Sequence, residues 1–321
     1  MAIVLKNRTS AKETEVLRLL HSRMALPENQ SRRFSNLTKG WEGEKRFEQF
    51  LEAMHSDVYV LHDICLEQNH SVFQMDTLLI SEKVVWLIEI KNYEGEYVYD
   101  SGAFRILATN QEILNPLYQL NRSVSLLRSL LTKMKMPIPV KGYLVFVNEE
   151  FTLFQAPVDM PIILPSQLKR FLNRLSQTPS SLNKQHSQLA DHLLNMHLPN
   201  SPYERGPDYQ YEQLQKGIVC LKCSRFMSRK NIRTIMCKTC GFEEALDVSI
   251  IRNVNELKLL FPKMKVTTPL VLDWCTIVDS KKTIRRVLAQ NFVFTGDNKH
   301  RHYGDERTAT ECDPLLPVSR F

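Results

Sequence analysis

Residues 72–93 read VFQMDTLLISEKVVWLIEIKNY, two apolar runs of strand length that carry Asp76, Glu89 and Lys91 among side chains suited to a core. Charged groups are almost never fully buried without partners, so any fold that buries this hairpin must account for all three. Alternate residues of a strand share a face, which sets Asp76 beside Gln74, Leu78 and Ile80, and sets Glu89 and Lys91 beside Val85 and Leu87. A turn at Ser81-Glu82-Lys83 makes the two strands antiparallel neighbours whose charged ends converge on one end of a sheet. Two carboxylates there repel, and a divalent cation is the usual way to keep both ionised. Hard oxygen ligands suit Mg²⁺ or Mn²⁺, with the Ile90 carbonyl as a further donor, and Lys91 can orient water or stabilise charge developing on a phosphate. The competing reading is an ion pair of Glu89 and Lys91 on a wet strand edge with Asp76 opening a turn. The run WLIEIK is too apolar for an edge strand, which favours the site.

The flanking pattern places this hairpin in an α/β domain built on a mixed sheet flanked by helices. A helix is expected over 41–54, with Phe47, Phe50, Leu51 and Met54 at helical spacing. Strand-like runs occupy 57–64, 71–80 and 83–91, and GEYVY and FRILA form a hairpin around Asp100-Ser101-Gly102. Asn115 can cap a following helix and Pro116 suits its first position, with Leu117, Leu120, Val124, Leu127 and Leu131 forming its apolar stripe. YLVFV at 143–147 reads as a strand covered on both faces, followed by PIIL and the helix SQLKRFLNRL. The expected organisation is a helical lead-in over 1–34, the α/β domain over 35–176, a linker containing one short helix over 177–215, a cysteine module over 216–245 and a helical region over 246–321.

Gly40-Trp41-Glu42-Gly43-Glu44, then FQMDTLLI, then WLIEIKNYEGEY, then Asn115-Pro116-x-x-Gln119 form an ordered set. Together they resemble the nuclease-related domain (NERD), a branch of the PD-(D/E)XK nuclease-like superfamily, over about residues 35–150. The resemblance implies a restriction-endonuclease-like core and divalent-metal-dependent phosphodiester hydrolysis. By position it carries Asp76, Glu89 and Lys91 over as metal and catalytic residues, with Glu44 and Gln119 as accessory groups. Met75 stands where the superfamily's first motif has proline. For Glu44 the alternative is a solvated helix residue beside Lys45, and for Gln119 a partner for a buried backbone group.

Cys220, Cys223, Cys237 and Cys240 lie in CLKCSRFMSRKNIRTIMCKTCGF as two CxxC pairs separated by thirteen residues. Four thiolates at this spacing are the ligand set of a structural zinc ribbon. Cys65, Cys275 and Cys312 stay outside that set. Charge is uneven: residues 1–200 hold 22 Lys and Arg against 21 acids, and residues 201–321 hold 20 against 14. Arg225, Arg229 and Lys230 lie in the ribbon bridge. Three short helices are expected at NVNELKLLF, TPLVLDWCT and SKKTIRRVLAQNF, the last started by Ser280 and carrying Lys281, Lys282, Arg285 and Arg286 beside Ile284, Val287 and Leu288. That pattern is helix-turn-helix-like, with a basic helix for nucleic acid, and its alternative is a bundle with a solvated basic face.

The combined expectation is a Mg²⁺- or Mn²⁺-dependent nuclease acting on DNA, tethered by a Zn²⁺ ribbon and a basic helical module. The alternative is a non-cleaving nucleic-acid-binding or assembly protein with a degenerate nuclease fold; protein partners or a homo-oligomer stay open. No P-loop, GxGxxG or GxSxG motif occurs, which argues against an ATPase, a nicotinamide enzyme or a serine hydrolase. No run approaches the ~18 apolar residues of a membrane helix and the N-terminal stretch lacks a signal-peptide core, so the expected location is the cytoplasm, away from membranes.

Overall fold

A computed structural model of the protein describes residues 2–136, 138–198, 207–297 and 300–306. The chain forms two compact units, one of Met1–Thr14 with Arg32–Arg205 and one of Glu15–Ser31 with Gly206–Phe321. Along the sequence the first elements are β1 (Ala2–Lys6), α1 (Lys12–His21), α2 (Glu28–Leu51), β2 (Val58–Gln68), β3 (Ser71–Ile80), β4 (Val85–Lys91), β5 (Gly95–Asp100), β6 (Ala103–Ile106), β7 (Glu112–Ile113), α3 (Pro116–Lys133), β8 (Val140–Phe146), β9 (Phe151–Phe154), β10 (Ile162–Ile163), α4 (Pro165–Gln177) and α5 (Lys184–Asn195).

The first unit is built on a six-stranded sheet in the order β1-β2-β3-β4-β8-β10. The β2–β3 and β3–β4 pairs are antiparallel, while β1–β2, β4–β8 and β8–β10 are parallel, which makes the sheet mixed. Both faces are covered. On one, Leu117, Leu120, Val124, Leu127 and Leu131 of α3 and Leu189 and Leu193 of α5 pack on Leu78, Leu87 and Leu144; on the other, Phe47 and Leu51 of α2 and Leu168, Phe171 and Leu172 of α4 pack on Leu79, Ile88 and Val145. Asn115 caps α3 as its sequence indicates, accepting from the Leu117 amide at 2.9 Å. A second sheet, β7-β6-β5-β9, carries the expected hairpin, with Ser101 and Gly102 both at positive φ in its two-residue turn.

One expectation about the flanks is corrected. The lead-in is not helical throughout, because AIVLK forms β1 and pairs in parallel with β2. The short helix expected in the polar stretch after 177 is α5, whose Leu189, Ala190 and Leu193 are fully buried; these core residues at helical spacing outweigh the polar composition around them. Strand alternation is also interrupted. Phe73 and Met75 pack on the α3 side, and so do Leu78 and Ile80; on β2 the same side receives Leu61, then Ile64 and Leu66. Alternation therefore slips by one at Asp76-Thr77 and at His62-Asp63, where Asp63 has φ 51° and the register passes from His62↔Thr77 to Ile64↔Met75. Asp76 does not simply continue the face of Leu78 and Ile80.

In the second unit β11 (Ser228–Arg229), β12 (Thr234–Met236) and β13 (Glu243–Ala245) form a three-stranded antiparallel sheet. It is followed by α6 (Leu246–Leu260), α7 (Thr268–Cys275), α8 (Lys281–Asn291), β14 (Phe292–Thr295) and β15 (His302–Glu306). Its core joins Val16, Leu19 and Leu20 to Ile218, Ile235, Ile250, Leu257, Trp274, Ile284 and Leu288. Ser280 caps α8 as expected, accepting from the Thr283 amide at 3.2 Å. The region after 246 is not all helical, because the backbone switches to strand at Phe292; the aromatic and β-branched run FVFT favours the β14–β15 hairpin. Cys312 lies outside the described residues. Among the described residues no helix is long and apolar enough to cross a membrane.

Gly43 fixes the approach of α2. A Cβ at this position would stand 2.5 Å from Asn92 Cβ and 3.2 Å from Val147 Cγ2, so only glycine lets the helix pass so close to the ends of β4 and β8. Gly43→Ala is expected to lower stability by ~1–3 kcal/mol through overpacking, measured as the shift in urea unfolding midpoint; an unchanged midpoint would show that the contact yields.

Candidate functional site

The sheet divides at the charged positions. β3 and β4 pair from Ile80↔Val85 to Thr77↔Ile88, and there the ladder ends. β3 continues along β2 to Ser71↔Gln68, and β4 continues along β8 to Lys91↔Phe146. The Ile90 amide thus loses its backbone partner on β3, and Asp76 Oδ2 accepts from it at 2.7 Å instead. This carboxylate closes the ladder where the strands part, leaving its second oxygen outside that bond. Glu89 is fully buried on the neighbouring strand; its Oε1 accepts from Lys91 Nζ at 2.7 Å, and its Oε2 is buried with no hydrogen-bond partner among the described residues. Lys91 also donates to Gln119 Oε1 at 3.2 Å, so α3 reaches the same place. Asp76, Glu89, Lys91 and Gln119 are brought together.

Glu44 arrives from α2 through a residue that the sequence reading missed. The side chain of Arg8, just beyond β1, is wholly buried. Its Nη1 donates to Glu44 at 2.7 Å and to Asp63, its Nε donates to Glu48 at 2.9 Å, and its Nη2 donates to the Asp76 carbonyl at 2.9 Å and to Thr77 Oγ1 at 3.2 Å. One guanidinium thus ties α2 to the slipped positions of β2 and β3. His62 Nδ1 lies 3.0 Å from Thr77 Oγ1 in the same group. No local signal singles out Arg8, since the exit of the apolar run in AIVLKNR carries Lys6 as well.

Carboxyl groups here outnumber the cations that could neutralise them. Burial and then Asp76 push Glu89 up from its ordinary 4.5 to about 8, against the pull of Lys91. Burial and then Asp76 likewise push Glu44 up to about 8, with Arg8 opposing. Burial raises Asp63 to about 6 although Arg8 pulls the other way. Burial alone would lower Lys91, but Glu89 and Asp76 outweigh it and hold the ammonium above its ordinary value. An unpartnered buried carboxylate oxygen beside a second carboxylate is the environment a hard divalent cation relieves, and the oxygen donors of Asp76 and Glu89 fit Mg²⁺ or Mn²⁺.

The four ribbon cysteines meet. Their sulfurs all lie within 4.8 Å of one another, with Cys220 and Cys240 3.6 Å apart and Cys223 and Cys237 3.4 Å apart. Tetrahedral zinc with bonds near 2.3 Å sets sulfurs about 3.8 Å apart, so the set fits Zn²⁺. The two CxxC turns are built alike. The Cys220 amide donates to Arg225 O at 2.8 Å and Ser224 N to Cys220 O at 3.0 Å; the Cys237 amide donates to Phe242 O at 2.9 Å and Gly241 N to Cys237 O at 2.9 Å. Ser224 and Gly241 hold matching positive φ of 56° and 72°. Cys65 and Cys275 are buried and take no part in this cluster.

The candidate phosphate-binding cations divide into two groups. Arg225, Lys281, Lys282 and Arg285 are exposed. Lys230 pairs with Glu243, Arg286 Nη2 donates to both carboxylate oxygens of Asp247 at 2.8 and 2.9 Å, and Arg229 donates to the carbonyls of Asn231 and Ile232 with Asp279 3.9 Å away.

These features define a nuclease-related α/β domain followed by a ribbon with a four-cysteine cluster. Residues 39–147 match the family model of the nuclease-related domain (NERD), so this part of the chain carries that domain. Among solved structures, the small subunit of the heterodimeric restriction endonuclease R.BspD6I is similar at 14% identity, over 50% of this chain and 78% of that one, with a TM-score of 0.20. No curated protein matches.

The protein is expected to carry about one equivalent of zinc, and Cys237→Ala is expected to lose it, as metal analysis of the purified chains would reveal. A second expectation concerns pH. The folded values of Glu89 and Glu44 lie above the unfolded 4.5, so without divalent metal the contribution of these two groups to the first unit's stability is complete below about pH 4.5 and is lost as pH rises through about 8. Glu89→Gln should flatten that fall, and urea unfolding followed across this range tests it.

Proposed function

We propose that the protein is a divalent-metal-dependent nuclease that hydrolyses phosphodiester bonds of DNA, with the ribbon and helical region as its tether. The observation that carries this reading is Glu89 Oε2, buried and unpartnered beside Asp76 where β3 and β4 part. Asp76 and Glu89 would hold the cation. Bound Mg²⁺ or Mn²⁺ supplies Lewis-acid neutralisation of the phosphodiester. Lys91, kept protonated by its acidic neighbours, would stabilise negative charge developing on the phosphate. Gln119 aims the Lys91 ammonium, and Arg8 positions Glu44 and the Asp76 backbone. Glu44, which accepts from Arg8 and whose carboxyl is pushed up to about 8 by burial and Asp76, would stand at the margin of the site as an accessory group.

A second reading, nucleic-acid binding or assembly without cleavage, is favoured by one observation: Lys91 already neutralises Glu89 at 2.7 Å, so the pair can persist without a cation.

Linear, circular and single-stranded DNA incubated with Mg²⁺, Mn²⁺ or chelator separate the readings. Asp76→Ala and Glu89→Ala should abolish metal-dependent cleavage and weaken metal binding by calorimetry. Lys91→Ala should cut cleavage by roughly a hundredfold or more while metal binding persists. Cleavage that survives Glu89→Ala would sink the hydrolytic site, and a wild type that neither binds Mg²⁺ or Mn²⁺ nor cuts favours the second reading.

A further inference from the structure

We propose that the helical part of the second unit is a winged helix-turn-helix that grips duplex DNA, with α8 in the major groove and the β14–β15 hairpin on the flanking phosphates. The proposal rests on the tethering role above and specifies the tether's ligand.

The order of elements carries it. α6 is followed by an extended residue, Val266, then by α7, a five-residue turn, α8 and the hairpin. Val266 bridges Tyr303 of β15 in antiparallel fashion, with the Tyr303 amide donating to Val266 O at 2.9 Å. Tyr303 also pairs with Phe294 of β14. β15 is therefore the centre of a small sheet that anchors the hairpin to the α6–α7 connection, and the hairpin starts where α8 ends. Tyr303, Phe292 and Ile284 share one core, so helix and hairpin are held as one body.

Charge on the outer surface follows this frame. Ile284, Val287 and Leu288 of α8 face the core, while Lys281, Lys282 and Arg285 face outward. Arg286 is engaged by Asp247 and does not count among the available cations. Ahead of α8, Asp279 lies 3.9 Å from Arg229, which brings a ribbon cation beside the start of the helix and offsets the one acid there. On the hairpin, Arg301 lies over the Phe294 ring at 4.4 Å, which fixes its guanidinium against the strand.

The chemistry selects the ligand. Single-strand binders rely on aromatic platforms for bases, and the outward face of α8 has none. Protein-docking surfaces have an apolar centre, whereas this face offers lysine and arginine. A helix of this length is about 16 Å long and enters a major groove about 12 Å wide, where its cations meet phosphates on both walls and its arginine reaches base edges.

The test uses the full-length, zinc-loaded chain carrying Glu89→Ala, so that cleavage does not consume the probe. Anisotropy titrations of a short blunt DNA duplex, its single strand and an RNA duplex are run across a salt series. DNA duplex should bind at least tenfold more tightly than either alternative. Replacing Lys281, Lys282 and Arg285 by alanine should weaken it at least tenfold and reduce the salt slope by about 2, since roughly one counterion is released per phosphate contact and Arg285 reaches base edges instead. Arg301→Ala should reduce the slope by about 1, and Arg286→Ala should leave it nearly unchanged. Zinc content and circular dichroism check the fold, and if the triple variant loses zinc, Lys282→Glu alone is scored in its place. A triple α8 variant, or Lys282→Glu in its place, that retains the parent's affinity and slope overturns the proposal, as does equal binding of single strand or RNA. The wild type with Mg²⁺ supplies the independent arm: duplex binding without cutting overturns the nuclease reading alone, and cutting with no loss in the α8 variant overturns this one alone.

Discussion

The bond from the Ile90 amide to Asp76 Oδ2 is the constraint on which the candidate site depends. An antiparallel pair that parts company leaves backbone donors without acceptors, and a buried unpaired amide costs about as much as a lost hydrogen bond. Asp76 supplies the missing acceptor from a side chain, so β4 can run on beside β8 alone while β3 stays with β2. The same carboxylate is thereby fixed beside Glu89. Arg8 acts from the other side of the slip, donating to the Asp76 carbonyl and holding Asp63 of the slip together with Glu44 and Glu48 of α2. Truncating Arg8 would leave those groups buried without their cation, which is more disruptive than losing the whole cluster would be.

Much of this was legible in the sequence because local chemistry and pattern agree there. Asn115-Pro116 marks a helix start whatever the tertiary context, and the apolar stripe after it can serve only a core. The convergence of Asp76, Glu89 and Lys91 followed from strand alternation, yet the detail that matters most broke that rule. A slip of one residue at Asp63 and Asp76 is a paired event on two strands, set by the fit of Arg8 between them, and period-two reasoning on either strand alone cannot reveal it. Arg8 was hidden for a related reason. Its role comes from partners 36 to 69 residues away, and no local signal distinguishes it from a solvated arginine.

Charge counting behaved differently. The basic excess after residue 200 is real, but several of its members are committed to internal pairs: Arg252 to Glu244 and Glu256, Arg286 to Asp247, Lys230 to Glu243 and Lys258 to Asp305. Net charge measures neither which cations are available nor where they point. Availability here is set by packing. On α8 the apolar residues at 284, 287 and 288 fix the rotation of the helix, and that rotation turns 281, 282 and 285 to solvent.

The second unit also explains why its boundaries do not follow composition. Val16, Leu19 and Leu20 of α1 are part of its core, although the whole Arg32–Arg205 segment of the first unit separates them from the ribbon. Arg23 completes the connection: Nη1 donates to the carbonyls of Gln215 and Gly217 at 3.1 and 3.0 Å, Nη2 to Glu256 at 3.0 Å, and the guanidinium carbon lies 4.1 Å from the Trp274 ring centroid. A fragment starting after the polar stretch would lack all of these groups. Glu256 would keep Arg252 but lose its buried partner, two carbonyls would lose their donor, and the face of Trp274 would be bare. Failure of such a fragment to bind nucleic acid would therefore report on its folding rather than on its surface. The segment 15–31 must accompany the ribbon and helices in any dissection of this protein.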